Sequence, residues 1–212
     1  MEDVLDLYAE PYAPQRPVVC FDETSTQLLG EKRPPMPAKP GRPRREDYEY
    51  KRKGTRNLFL FCEPKRGWRH VAVTEHRGNQ DFAHQMRWLV EGPYHEAEVV
   101  RVVLDNLSTH GPGALYDTFP PAEARRLTKR LEFHYTPTHG SWLNMAEIEF
   151  SVLARRVLHH RIPDPQTLSR EVAALEQERN AARSSIHWRF TTDMARTKLH
   201  RIYPSRNRLT EY

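Results

Sequence analysis

Three acidic residues occupy positions in this sequence that suit metal-dependent chemistry. Asp22 follows the apolar run VVCF, Asp105 follows VVRVVL, and Glu147 lies within HGSWLNMAEIEFSVLARR. Carboxylates brought together without basic partners would repel one another, and a hard cation is the least costly way to keep them ionised. Mg²⁺ or Mn²⁺ leaves coordination positions open for phosphate oxygens, which suits a two-ion displacement at a phosphodiester. These three acids are therefore the candidate catalytic and metal-binding residues.

Each acid also has a purely structural interpretation. An aspartate at the end of a strand is commonly a turn or capping residue. Glu147 could extend toward the helix surface or form an ion pair with Arg155 or Arg156. The occurrence of all three acids, in this order and at these places, favours metal chemistry more strongly than any one of them does.

The helix predicted around Glu147 raises a question about burial. At about 100° per residue, the apolar side chains form one stripe, Glu147 falls inside it and Glu149 falls at its rim. We therefore expect Glu147 to be buried because of its function, and Glu149 to be a surface residue. The stripe consists of Leu143, Ala146, Phe150, Leu153, Ala154 and Val157.

Apolar runs predict five strands that would position the acids. Residues 18–21 form a buried strand after Pro17, and TRNLFLFCEP and GWRHVAVTEH form two more strands joined by the loop EPKRG. The run before Asp105 is typical of a strand buried on both faces, and LEFHYTP predicts a fifth strand.

Helical spacing predicts the elements between and after these strands. Helices are expected over NQDFAHQMRWLVEG, over PPAEARRLTKR, over the Glu147 segment, and from PDPQTL onward, where Asp164 is the cap and Pro165 lies in the first turn. The order β-β-β-α-β-α-β-α predicts an α/β fold, with a mixed sheet and helices on its faces.

The composition predicts one domain outside the membrane. The 212 residues suit a single core, with tails at 1–16 and 205–212 around a domain at 17–204. There is no apolar run of about 18 residues, and the opening MEDVLDLYAEPYAPQRP lacks the pattern of a signal peptide, so we expect a cytoplasmic protein. Cys20 and Cys62 lie in apolar runs without a CxxC partner, which predicts reduced core residues.

The positive charge is concentrated in one segment. The formal net charge is +5, and residues 31–56 carry ten Lys or Arg against four Asp or Glu. Such a patch favours a polyanion such as DNA, although a solubilising surface loop is the alternative. Its proline-rich composition predicts an extended or loop-like insertion at 30–56. The expected DNA-binding residues are Arg44, Arg45, Lys51, Arg52, Lys53 and Arg56.

Three blocks of the sequence resemble a known family. CFDET, VLDNLSTH and HYTPTHGSWLNMAEIEFSVLARR closely resemble the catalytic domain of bacterial insertion-sequence transposases of the mariner superfamily, in the six-thirty insertion-sequence group. The resemblance extends over residues 17–204 and includes the late segment IHWRFTTDMARTKLHRIYP. It implies an RNase H-like fold and a metal triad that falls on Asp22, Asp105 and Glu147.

The resemblance also implies further residues and partners. The family pattern LNPIE is matched here by Leu143, Asn144 and Glu147, and Asn106, His139 and Asn144 are the expected supporting residues. His139 would orient a phosphate or a water, or only fix a loop. Trp142 is interpreted more readily as a core residue than as a stacking group for DNA. The implied cofactor is two Mg²⁺ or Mn²⁺ ions, and the implied assembly is a homodimer on transposon ends and target DNA.

This sequence departs from the family pattern in two respects. More residues separate Asp105 from Glu147 than separate the corresponding acids of animal mariner members, and the segment PPAEARRLTKR is the apparent extra length. Family members carry an N-terminal helix-turn-helix region, whereas this chain starts almost directly at the first strand, so we expect end recognition to be missing or supplied by another chain. Two alternative functions stay open, a nuclease of the same fold that cuts without joining and a catalytically idle DNA-binding protein.

Overall fold

A five-stranded mixed sheet forms the centre of the computed structural model, which describes residues 1–203 except 35, 44 and 46. The strands are β1 (Val18–Glu31), β2 (Tyr50–Glu63), β3 (Trp68–Thr74), β4 (Val100–Leu104) and β5 (Leu131–Tyr135). Their spatial order is β3-β2-β1-β4-β5, with antiparallel pairing among the first three and parallel pairing from β1 through β4 to β5. This arrangement confirms the predicted α/β fold class.

Helices cover both faces of the sheet. They are α1 (Glu2–Ala9), α2 (Asn79–Glu91), α3 (Pro112–Thr118), α4 (Pro121–Thr128), α5 (Ala146–Arg156), α6 (Pro165–Ala181) and α7 (Thr192–Lys198), and short 3₁₀ turns span Ser141–Leu143 and His200–Ile202. Asp164 caps α6 as predicted, because its carboxylate accepts the Thr167 N–H at 2.7 Å and Pro165 needs no donor in the first turn. No helix in the described part of the chain combines the length and the apolarity required to cross a bilayer.

Alternation along β1 divides the core between the two faces of the sheet. Val19 and Phe21 pack with residues of α2, α3 and α4, whereas Cys20 packs with residues of α1, α5 and α7. Because side chains alternate along a strand, Asp22 belongs to the same face as Cys20. The first candidate acid therefore lies on the face that α5 covers.

The two cysteines lie opposite each other within this core. Cys20 of β1 pairs with Cys62 of β2 in the antiparallel register, and both are buried free thiols. The prediction of reduced core cysteines is confirmed.

The segment predicted to be an N-terminal tail contains a packed helix. Within 1–16, α1 buries Val4, Leu5, Leu7 and Tyr8, and the Tyr8 hydroxyl donates a 2.9 Å hydrogen bond to the Leu143 carbonyl. The apolar side of this helix covers the sheet face that contains Cys20, so the expectation of a tail is wrong there. The predicted tail at 205–212 lies outside the described residues.

The segment predicted to be an extended or loop-like insertion at 30–56 is strand at its two ends and a connection between them. β1 continues to Glu31 and β2 begins at Tyr50, so residues 32–49 connect two long paired strands. We call the segment 30–56 the β1–β2 arm. Where its two strands pair, the backbone groups are satisfied by cross-strand hydrogen bonds, even though the side chains there are polar. A second difference is α3, which was not predicted from the sequence, although Pro112 occupies its first turn.

Candidate active site

The strand register brings the first two acids together. β1 and β4 are parallel, with Cys20 next to Val103, and continuing this register by two residues leads to Asp22 and Asp105. Asp105 directly follows β4, where the backbone leaves the core. Functional side chains of α/β sheets gather at such carboxyl ends of strands. Glu147 comes to the same region from the first turn of α5, which packs on β1 and β2.

Asn144 connects the start of α5 to the strand that carries Asp22. Its side chain is 1% exposed, and its Nδ2 donates a 2.8 Å hydrogen bond to the Phe21 carbonyl and lies 3.5 Å from Asp22 Oδ2. Its Oδ1 accepts the Ala146 N–H at 3.1 Å. Asn144 therefore fixes the beginning of the helix relative to the first acid.

The three acids share one electrostatic environment. Burial raises the pKa of Asp22 to about 7, and the negative charges of Glu147 and Asp105 contribute to the rise. The Glu23 N–H, which donates to Asp22 Oδ1 at 2.8 Å, and the nearby His110 oppose it. The negative charges of both other acids therefore act on Asp22, in addition to its burial.

The acids suit a hard divalent cation in charge and in donor type. Asp22 is half-buried, the Asp105 side chain is 37% exposed and Glu147 is exposed, so solvent reaches the cluster. Carboxylate oxygens are the ligands that Mg²⁺ prefers, and a cation would offset the repulsion among the acids. Within the described residues, no three His, Cys, Asp or Glu side chains stand at ligating distances from a common point. Ligation of one ion by all three acids would therefore require their side chains to move closer together.

His110 is a residue of this site that was not assigned from the sequence. Its ring is 3% exposed and packs between Phe21 and Phe82, with centroid distances of 5.3 and 5.1 Å. Its Nδ1 forms a hydrogen bond with Asp105 Oδ1, and its Nε2 lies 3.6 Å from Glu23 Oε2. His110 therefore anchors the Asp105 carboxylate from the buried side of the site. The sequence contained a sign of this role, because His110 is the last residue of the block LDNLSTH that also contains Asp105.

The charges around His110 also affect its protonation. Burial by itself lowers the pKa of His110, but the carboxylates of Glu23 and Asp105 outweigh it and raise that pKa above its ordinary value. The Glu23 side chain is only 7% exposed, and Arg77 lies 3.8 Å from it on its other side. A protonated imidazole would donate to Asp105 and so restrict its orientation.

The burial predicted for the two glutamates of α5 is reversed in the structure. Glu147 is exposed, whereas Glu149 is 3% exposed. The buried residues of α5 are Ala146, Glu149 and Leu153, so the buried side of the helix is rotated from the predicted stripe. The expectations of a buried Glu147 and a surface Glu149 are therefore wrong.

The reason for the burial of Glu149 lies on neighbouring elements. Arg69 of β3 and Arg179 of α6 both donate to its carboxylate, and a buried carboxylate with two such partners is compensated. The ion pair considered for Glu147 is not formed either. Arg155 donates to Ser151 and Arg156 pairs with Glu178 instead.

The remaining predicted residues lie around the turn before α5 and in the loop after β4. Asn106 and His139 are exposed, and His139 has a φ of 61°. A Cβ on Gly140 would come within 2.6 Å of Pro137, which explains the glycine in THGSW. Trp142 is 46% exposed, so its interpretation as a core residue is wrong.

The predicted DNA-binding residues lie on the β1–β2 arm. Lys51, Arg52 and Lys53 are exposed on β2, Arg56 is half-buried on the same strand, and the exposed Arg45 pairs through its backbone with Met36. Some cations of the arm are neutralised, as in the 2.9 Å pair of Lys32 with Glu49. The predicted residue Arg44 lies outside the described residues.

Comparisons with known proteins agree with this fold. The chain is similar to the Mos1 mariner paired end complex with Mn (17% identity, TM-score 0.55) over 85% of its own length and 55% of that chain. It is also similar to the mariner Mos1 paired end complex with Mg (14%, 0.53, 87% and 54%) and to the Mos1 Strand Transfer Complex (13%, 0.51, 82% and 56%). It thus spans little more than half the length of those chains. At these identities, the similarity establishes the RNase H-like fold.

The family is established by the sequence match. No curated protein matches the chain. Residues 17–169 match the family model described as DDE superfamily endonuclease, a range that includes β1, β4, α5 and the three acids. The chain belongs to the DDE superfamily endonucleases.

Proposed function

We propose that this chain is the catalytic domain of a bacterial insertion-sequence transposase, in the six-thirty group of the mariner superfamily. It hydrolyses DNA phosphodiesters at transposon ends and uses the freed 3′-hydroxyl to attack target DNA. The observation that carries the proposal is the convergence of Asp22, Asp105 and Glu147 at one edge of the sheet, in a DDE superfamily endonuclease.

The proposal includes a divalent metal cofactor. Asp22, Asp105 and Glu147 would hold two Mg²⁺ or Mn²⁺ ions, which agrees with the pKa of Asp22, since burial and then the charges of the two other acids raise it. When bound, such ions activate the attacking oxygen and stabilise the leaving oxygen. The similar Mos1 paired end complexes are described as complexes with Mn and with Mg, which supports the choice of metal.

The protein residues around the acids supply orientation. Asn144 joins the start of α5 to the strand of Asp22, and His110 holds Asp105 through its Nδ1. Both side chains are at most 3% exposed, so they lose little freedom when DNA binds. Their role is to keep three acids from distant parts of the chain in one arrangement. Asn106 and His139, which are exposed beside them, are the further supporting residues.

The proposed substrate is DNA, bound in part by the basic arm. Arg44, Arg45, Lys51, Arg52, Lys53 and Arg56 contact the phosphates of transposon ends and target. The enzyme acts as a homodimer on DNA, in the bacterial cytoplasm. The similar Mos1 structures are paired end and strand transfer complexes, which supports a DNA partner.

A strand-transfer assay tests this function. A short duplex with a free 3′-hydroxyl end is incubated with the protein, Mg²⁺ or Mn²⁺ and a supercoiled plasmid. We expect joined product, which should disappear in Glu147→Gln. Cleavage without joining would favour the nuclease, and DNA binding without either reaction would favour the idle DNA-binding protein.

A further inference from the structure

An exposed tryptophan caps a column of aromatic rings next to the acids. Trp142 is 46% exposed, and its ring stacks on Trp188, with centroids 6.3 Å apart and planes inclined by 20°. Phe190 approaches the same ring edge-on at 5.5 Å, and Trp188 continues the column to Tyr8 at 5.4 Å. The protein therefore supports part of the Trp142 ring and leaves much of the residue exposed.

Hydrogen bonds hold this column in position. The Tyr8 hydroxyl donates to the Leu143 carbonyl at 2.9 Å, and the Trp188 Nε1–H donates to the Phe190 carbonyl at 2.8 Å. The turn that carries Trp142 is closed by the Leu143 N–H, which donates to the Gly140 carbonyl at 2.9 Å. A ring ordered before binding loses little conformational entropy when it meets a ligand.

The position of Trp142 relates it to the substrate of the acids. Asn144, two residues after Trp142, forms hydrogen bonds with the Phe21 carbonyl and the Asp22 carboxylate. Glu147, five residues after Trp142, is exposed in the first turn of α5. A DNA strand whose phosphodiester lies at the acids therefore passes close to this turn. Arg189, exposed between two residues of the column, adds positive charge for the strand's phosphates.

We propose that the exposed part of the Trp142 ring is a stacking site for an unpaired nucleobase of the DNA strand held at the acids. Stacking on an aromatic ring accepts every base, because each base has a π-face, and a neighbouring cation attracts the backbone. Only an unpaired base exposes that face, so the site selects single-stranded DNA next to the reacting phosphodiester. The inference rests on the proposed function, since it requires DNA at the acids.

The fluorescence of 2-aminopurine, which falls when the base stacks, tests the proposal. A short duplex carries this base either in a single-stranded 3′ overhang or within the paired region, and it is titrated with protein before Mg²⁺ is added. We expect the wild type to quench the overhang base and not the paired base. Trp142→Leu should lose the quenching and bind the overhang about 10- to 100-fold more weakly, whereas Trp142→Phe should keep part of both.

Trp88→Leu provides a matched control, because Trp88 is 37% exposed on α2 and packs on His70, away from the turn before α5. It should behave as the wild type does. Equal quenching and affinity in Trp142→Leu would overturn the stacking site and leave DNA binding intact. An overhang base that stays unquenched in the DNA-bound wild type would overturn it without any variant. A wild type that binds no DNA would instead remove the proposed function, and the stacking site with it.

Discussion

Arg69 donates a hydrogen bond from Nη2 to Glu149 Oε1 over 3.1 Å, and both side chains are 3% exposed. Arg179 adds two more donors to the same carboxylate, at 2.9 and 2.7 Å. One buried carboxylate thus links α5 to β3 and α6, two residues beyond Glu147. The structural glutamate and the proposed catalytic glutamate of this helix are therefore different residues.

The first prediction separates these two roles. Glu149→Gln should lower the free energy of unfolding by about 3 kcal/mol, because it leaves Arg69 buried without its counter-charge. Glu147→Gln should change it by less than about 0.5 kcal/mol, as exposed substitutions usually do, and abolish most cleavage. Chemical denaturation and single-turnover cleavage on both variants measure this. A folded, fully active Glu147→Gln protein would refute the triad assignment.

The second prediction concerns the pH dependence of stability without metal. Because the pKa of Asp22 rises from 3.8 to about 7, the folded state binds this proton more tightly than the unfolded chain does. The resulting stabilisation is complete below about pH 4 and is lost as the pH rises through about 7. Its full size is on the order of 4 kcal/mol.

Asp22→Asn isolates this contribution, because its side chain does not titrate. In EDTA, the wild type should lose stability relative to Asp22→Asn as the pH rises from about 4 to above 7. Thermal or urea unfolding across this range checks the difference. Parallel pH profiles of the two proteins would show that Asp22 keeps an ordinary pKa.

The third prediction concerns metal binding. Mg²⁺ or Mn²⁺ should raise the melting temperature of the wild type, because an ion that binds only the folded state stabilises it by about 2.7 kcal/mol at a hundred times its dissociation constant. The rise should be smaller in Asp105→Ala. Differential scanning calorimetry with and without the ion measures both shifts, and equal shifts would argue against a site that includes Asp105.

The fourth prediction assigns a positioning role to His110. His110→Phe keeps an aromatic ring between Phe21 and Phe82 but removes the Nδ1 bond to Asp105, so the fold should survive. Loss of such a supporting bond typically costs 10- to 100-fold in metal affinity or activity. The Mn²⁺ concentration at half-maximal cleavage should therefore increase by about this factor.

His95→Phe is the control for this variant, because His95 is exposed and precedes β4, at the end of the strand away from Asp105. It should leave the metal dependence unchanged. If His110→Phe also had the wild-type metal dependence and rate, His110 would be only a packing residue.

The fifth prediction concerns the basic arm. Replacing Lys51, Arg52 and Lys53 with Ala should weaken DNA binding and make the slope of log affinity against log salt shallower, by about 0.9 for each phosphate that the protein no longer neutralises. Fluorescence anisotropy at several salt concentrations measures the slope. An unchanged slope would identify the arm as a solubilising surface.

The same charge can be removed from α4 as a control. Arg125, Arg126 and Lys129 lie on that helix or directly after it, and their replacement with Ala lowers the net charge by the same amount. This variant should keep the wild-type salt slope. A similar decrease in both triple variants would mean that net charge alone governs binding.

Much of the sheet could be predicted from the sequence, because apolar runs, turns and caps depend on residues that are close together in the chain. Apolar runs, the loop EPKRG and the cap at Asp164 predict strands, a hairpin and a helix start, and the structure confirms them. Asp105 could be located at a strand end for the same reason. Asp22, expected at the end of its strand, lies inside β1 instead, because β1 continues to Glu31. The full lengths of β1 and β2 could not be predicted, since the end of β1 and the start of β2 are polar and their pairing leaves no hydrophobic pattern in the sequence.

The burial of the α5 glutamates, by contrast, was decided only by tertiary structure. Glu147 and Glu149 are two positions apart, about 200° around the helix, so only one of them can face the sheet. Apolar periodicity selected Glu147 because it considers α5 alone. The choice depends on Arg69 from β3 and Arg179 from α6, whose positive charges make a carboxylate stable at the buried position. A charge is buried where its partners lie, and those partners are distant in sequence and come together only in the folded chain.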